Sequence, residues 1–120
     1  MTAPPASVLI GTVRYRITRD KGEWLAEERH PGLVGLSDNT RALILLDPNT
    51  PDDVQRVTLL HEVMHCIAED LMGGPKWELR GGATKREETL IRMWEGPLLL
   101  VLRSNPDLIT YLTAEDRIDD

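Results

Sequence analysis

The apolar and polar positions divide the chain into an alternating first part and a helical second part. From Val8 to Thr18, Val13, Tyr15 and Ile17 alternate with Arg14, Arg16 and Thr18. That period of two predicts a hairpin or bent strand with one solvated face, turned at Gly11-Thr12, with the arginines on the solvated side. Asp20-Lys21-Gly22-Glu23 reads as a turn and Trp24-Leu25 as a core anchor. Residues 32–37 and 41–47 read as a second strand pair around the turn Asp38-Asn39-Thr40. Arg41-Ala42-Leu43-Ile44-Leu45-Leu46 is too continuously apolar for a half-exposed strand, which predicts a strand covered by a helix.

The period changes after Pro48. Thr50 is placed to cap a helix, with Pro51 at its first position and Asp52 and Asp53 in its first turn. Nothing breaks the pattern before Gly73-Gly74, which predicts about six helical turns. Val54, Val57, His61, Met64, His65, Ala68 and Met72 fall within an arc of about 100° on the helical wheel, which predicts that this stripe faces the core. A Gly-rich stretch follows (residues 73–82), a loop placed to flank or cover whatever the helix presents. A second helix is expected from about Thr84 to Arg103, kinked or split at Gly96-Pro97. A short last helix spans Leu108 to Leu112, and residues 1–6 and 114–120 are expected to be flexible. The sum is one α+β domain over residues 1–120: a small N-terminal antiparallel sheet packed on a long helix, with a second long C-terminal helix.

The first long helix carries His61-Glu62-Val63-Met64-His65. Residues four apart stand about 40° apart around a helix, one turn along, so the two imidazoles enter the same space and can share a metal ion. Glu62 lies about 100° from His61, near enough to reach a metal-bound water without ligating the metal. Two neutral imidazoles and a carboxylate base form the arrangement of a zinc hydrolase. A catalytic zinc takes a third protein ligand. His30 is the remaining histidine and sits in a loop before Pro31. The better candidate is Glu87, because Leu90, Ile91, Trp94 and Leu98 lie within about 60° of it, and a carboxylate on an apolar stripe is costly unless something binds it. Thr84-x-x-Glu87 also has the form of a capping box, which would leave the role to Glu88. Glu69 and Asp70 continue along the histidine helix and are expected to support the site or the helix end.

Composition narrows the setting. The 120 residues are 41% hydrophobic, enough for one compact core, and carry a net charge of −6 with a pI near 5.0, which argues against nucleic acid as partner. The single cysteine, Cys66, allows no intrachain disulfide and lies about 140° from His61, away from a ligand position. No signal peptide or membrane span is visible, so a soluble, cytoplasmic protein is expected.

The motif followed about twenty residues later by a helical glutamate resembles the gluzincin pattern in its smallest form. The chain is similar to the ImmA/IrrE-type minimal metallopeptidases and to small zincin-like proteins of bacteriophages and actinobacteria. Gly35-Leu36-Ser37-Asp38, Val54-Gln55-Arg56-x-Thr58-Leu59-Leu60, Glu87-Glu88 and Leu99-x-x-Leu102-Arg103-x-Asn105-Pro106 carry that likeness. The resemblance implies a zincin-like fold and a zinc-dependent metallopeptidase acting on a peptide or protein substrate. Zn2+ would be held by His61, His65 and Glu87, with Glu62 as catalytic base. In such proteins the strand before the helix often offers its edge to an extended peptide, the role expected here of Arg41 to Leu46. Tyr111 and His30 are candidate donors to the oxyanion. No DNA-binding or sensor domain of the kind in the larger ImmA/IrrE proteins is recognisable in these 120 residues, so a repressor-cleaving role is not expected. The rival expectation is a catalytically inactive zincin scaffold that binds a phage or host regulatory protein.

Overall fold

In the computed structural model of the protein, residues 3–28, 32–73 and 82–115 are described. The elements in order are β1 (Ser7–Ile10), β2 (Val13–Thr18), α1 (Lys21–Ala26), β3 (Gly35–Asp38), β4 (Leu43–Leu46), α2 (Asp52–Leu71), α3 (Ala83–Ser104) and α4 (Pro106–Thr113). The architecture is α+β. The four strands form one sheet in the order β1-β2-β4-β3. β1 and β2 make the expected hairpin, with Ile10 opposite Val13 and Gly11 at φ 63° in the two-residue turn.

The sheet is mixed, where an antiparallel one was expected: β2 and β4 run parallel, Ile17 beside Ile44. The reason lies in β4, which is buried along its whole length and so demands a central place with both faces covered. Between β2 and β4 the chain passes through α1 and β3, a crossover long enough to return it to the same end of the sheet. β4 then pairs antiparallel with β3, Leu36 beside Leu45, and β3 takes the outer edge. The edge expected of Arg41 to Leu46 therefore belongs to β3.

One sheet face packs Val8, Ile10, Tyr15, Ile17, Ile44 and Leu46 against the long helices. The other packs Leu43, Leu45 and Leu36 against Trp24. Trp24 sits on α1, where a plain turn was expected. Asp20 makes the difference: its carboxylate accepts a hydrogen bond from the Glu23 amide at 2.9 Å and caps a short helix. Arg16 is on the solvated side as expected, paired with Glu23 at 2.6 Å.

α2 runs 20 residues with Pro51 as its N-cap. Thr50 does not cap it: the Thr50 hydroxyl donates to the Asp47 carbonyl at 2.8 Å and closes the turn before the helix. The core face is also not the expected one. Gln55, Thr58, Leu59, Glu62, Val63, Cys66 and Ile67 are buried, whereas Val57 is 70% and Met64 41% exposed. Leu59, Val63, Cys66 and Ile67 make the better ridge against the sheet, and the polar side chains beside them find partners inside. Gln55 donates to the carbonyls of Asp47 and Thr50, at 3.3 and 2.9 Å. Arg56 donates to the Tyr111 carbonyl at 3.2 Å and lies over that ring.

α3 continues through Pro97 as one helix of 22 residues, so of the kink or split expected at Gly96-Pro97 the split does not occur. A helical proline removes one backbone donor, and Trp94 and Leu98 pack into the same core on either side of it. Asn105 ends α3 and ties it to β1: its side chain accepts from the Leu9 amide at 2.7 Å and donates to the carbonyls of Leu9 and Val101, both at 2.8 Å. Among the described residues no helix is long and apolar enough to cross a membrane. His30 and most of the Gly-rich stretch lie outside the described residues.

Candidate metal centre

His61 and His65 stand one turn apart on the exposed side of α2, and their Nε2 atoms converge to 3.0 Å. The rings are 4.6 Å apart between centroids and meet edge to face at 76°. Two nitrogens at tetrahedral positions on one zinc, each about 2.05 Å from it, would be roughly 3.3 Å apart. The pair as it stands needs only a small side-chain adjustment to fit a shared ion. The donor chemistry fits as well, since imidazole nitrogen is a preferred zinc ligand.

Glu62 turns inward from the same turn. It is 7% exposed and faces β3 across a gap that glycine alone keeps open. A Cβ on Gly35 would collide with Thr58 Cγ2 and would lie 3.4 Å from Glu62 Oε2. Gly35 thus lets the edge strand lie directly over the carboxylate. The resulting cavity, ≈ 330 Å³, is walled on one side by Gly35, Leu36 and Ser37 and on the other by His61, Glu62, His65 and Glu69. A second cavity, ≈ 290 Å³, opens on the far side of the imidazoles, where Trp94 of α3 meets Met64 and Ala68.

A hydrogen-bonded group pins the distal half of α2 to the sheet. The Tyr15 hydroxyl donates to Asp70 Oδ2 at 2.5 Å, and Asn39 Nδ2 donates to the Tyr15 oxygen at 2.9 Å and to Asp70 Oδ1 at 3.4 Å. Burial, then the bond to Asp70, push the Tyr15 hydroxyl above its ordinary pKa, so it stays a donor. Cys66 lies in the core beneath, and burial foremost, then the Asp70 charge, push its thiol up to about 12. It packs as a small apolar side chain, in keeping with its expected place away from the ligands.

The other expected site residues are distributed as follows. Glu87 and Glu88 are exposed in the first turns of α3, whose N-cap is Gly82 with no side-chain capping bond, so Thr84-x-x-Glu87 does not act as a capping box. Glu88 accepts a hydrogen bond from Arg92 at 2.9 Å. Glu87 stands seven residues before Trp94, within about 20° of it on the wheel. Among the described residues no group of three or more His, Cys, Asp or Glu is assembled as a metal site, so His61 and His65 are brought together and Glu87 does not join them. Tyr111 is buried against Arg56, away from both cavities. Asp70 serves the helix end, as expected of it. The contributions of Gly35, Tyr15 and Asn39 went unread. The turn residue Asn39 and the alternation that buries Tyr15 were visible signals, but neither names a partner.

A further cavity, ≈ 270 Å³, lies beneath α1 on the opposite sheet face. Its charges pair with one another, Arg16 with Glu23 and Arg41 with Glu27 at 2.6 and 2.7 Å. Comparison with family models, with curated proteins and with solved structures gave no match.

Proposed function

We propose that this chain is a zinc-dependent peptidase of the minimal gluzincin kind, with His61 and His65 as metal ligands, Glu87 as the third and Glu62 as the base. The observation that carries the reading is the convergence of the two imidazole nitrogens to 3.0 Å beside a carboxylate held under the edge strand. Glu87 is preferred over Glu88 because it lies on the α3 face that bears Trp94, whereas Glu88 is engaged by Arg92.

Zinc bound there supplies Lewis acidity, which brings the ionisation of a water within reach of a carboxylate near neutral pH. The chain's own residues do the rest. β3 has no further strand beyond it among the described residues, and its outer edge would take an extended peptide as an added strand lying across the cavity. Glu62 then holds the proton taken from the attacking water on its carboxylate. It returns that proton to the amine nitrogen as the peptide C–N bond breaks. Its burial beneath Gly35 keeps it aimed into the cavity and shields it from bulk water.

The test is Glu62→Gln, which preserves shape while removing the base. Zinc content and thermal stability are expected to stay at the wild-type level, and peptide hydrolysis is expected to fall by about 10²-fold or more. Turnover in the variant equal to that of wild type would sink the mechanism.

A further inference from the structure

β3 is a strand of four residues at the edge of the sheet, paired with β4 alone among the described residues. It is tied to α2 at both ends. At its start Gly35 passes directly over Thr58 and Glu62. Just past its end Asn39 donates to the Tyr15 hydroxyl and to Asp70 of α2. The turn that carries Asn39 is itself closed, because the Asp38 carboxylate accepts from the amides of Thr40 and Arg41 at 3.1 and 3.2 Å. Turn and strand therefore move together.

Tyr15 is the centre of the second tie. It stands fully buried on β2, with β4 between it and β3, and its hydroxyl serves both neighbours. The Asp70 carboxylate only accepts, so the hydroxyl proton goes to Asp70 and an oxygen lone pair is left for Asn39. Without the hydroxyl, Asn39 and Asp70 keep one contact, the longest of the three at 3.4 Å. The cavity beside the imidazoles lies between the two ties. Gly35, Ser37 and Asn39 are on its strand side, and His61, Glu62 and His65 on its helix side.

We infer that Tyr15 is a positioning residue of the site, acting through Asp70 and Asn39 to hold the end of β3 against α2 and so to set the width of the cavity that receives the peptide. Tyr15 touches neither metal nor peptide in this role. His61, Glu62 and His65 stand on α2 and keep their places without it, whereas the strand side of the cavity shifts. The inference rests on the peptidase reading for its effect on turnover and on the hydrogen bonds alone for the hold on β3.

The experiment compares the full zinc-loaded chain with Tyr15→Phe, Asn39→Ala and the double variant. Asn105→Ala serves as a chain weakened at the junction of α3 and β1. Amide hydrogen exchange reads the hold on β3. Turnover is read on an internally quenched peptide chosen from a random-sequence set for cleavage by the wild type. In Tyr15→Phe the β3 amides should exchange about 10-fold faster, with those of His61 to His65 unchanged and zinc retained. KM should rise about 5- to 20-fold with kcat within about 3-fold. The double variant should be no worse than the poorer single one, because both remove the same tie. Asn105→Ala should leave KM unaltered. If Tyr15→Phe does not fold, Asn39→Ala, at an exposed position, carries the same expectations. Unchanged exchange in β3 overturns the inference, as does faster exchange with an unchanged KM, an equal rise of KM in Asn105→Ala, or effects that multiply in the double variant. Faster exchange in β3 with no peptide cleaved by the wild type supports the hold on β3 and overturns the peptidase reading instead.

Discussion

Glu62 and Gly35 define the site at the scale of single residues, one by its buried carboxyl group and the other by its missing side chain. Because a Cβ at position 35 collides with Thr58 Cγ2 and comes into contact with Glu62 Oε2, Gly35→Ala should force β3 away from α2. The cost of such overpacking is about 1–3 kcal/mol, readable as a lowered denaturant midpoint, and the base should lose its alignment at the same time. Stability equal to that of wild type would show that the strand does not pass as closely as described. Cys66 gives a second expectation. Its thiol is held up to about 12 in the folded protein, whereas an unfolded chain releases the proton near its ordinary value, about 8.5. The group's contribution to stability is therefore complete below about pH 8.5 and is lost as pH rises towards the folded value. Denaturation curves from pH 7 to 11 should show stability falling with pH, less steeply in Cys66→Ala. Native protein at pH 8 should alkylate far more slowly than unfolded protein. Rapid alkylation without unfolding would contradict the buried placement.

At the scale of elements, α2 shows what sequence can and cannot convey. The spacing of His61 and His65 is a local property of a helix, and it survives into the structure as two converging rings. Which face of α2 meets the sheet is not local. The helix carries two apolar stripes, and the wheel favours the one with Val54, Val57, Met64 and Met72 because its rival also holds Gln55, Arg56, Thr58 and Glu62. Those polar groups go inside because loop and helix carbonyls far along the chain satisfy them, among them those of Thr50 for Gln55 and Tyr111 for Arg56. A polar residue's distant partner has no signature in a single sequence. The hairpin at Gly11 and the core role of Trp24 were legible because turn chemistry and apolar bulk act nearby. The parallel pairing of β2 with β4 was not, since it depends on where the crossover lays β3. Asn105 is another case of distant coupling, two hydrogen bonds to Leu9 joining the end of α3 to β1 and a third returning to Val101 within α3. Asn105→Ala leaves the Leu9 amide and carbonyl without this partner, so a loss of about 2 kcal/mol or more is expected in chemical denaturation. A loss under about 0.5 kcal/mol would mean that water replaces the side chain there.

For the molecule as a whole, the sheet and α2 form a frame that exposes two imidazoles between a cavity of mixed lining under β3 and a more apolar one against α3. The sequence offered adjacent glutamates on α3 as the proposed third ligand, because position in a helix fixes direction around its axis and not distance from a neighbouring helix, and neither Glu87 nor Glu88 is assembled with the histidines among the described residues. The most direct measurement is the zinc content of the full chain purified without chelator and without added histidines, alongside His61→Ala, Glu87→Gln and Glu88→Gln. About one zinc per wild-type chain is expected, with a loss in His61→Ala and in Glu87→Gln, retention in Glu88→Gln, and a rise in melting temperature when zinc is restored. No bound zinc in the wild type, with no thermal shift on adding it, would contradict the account.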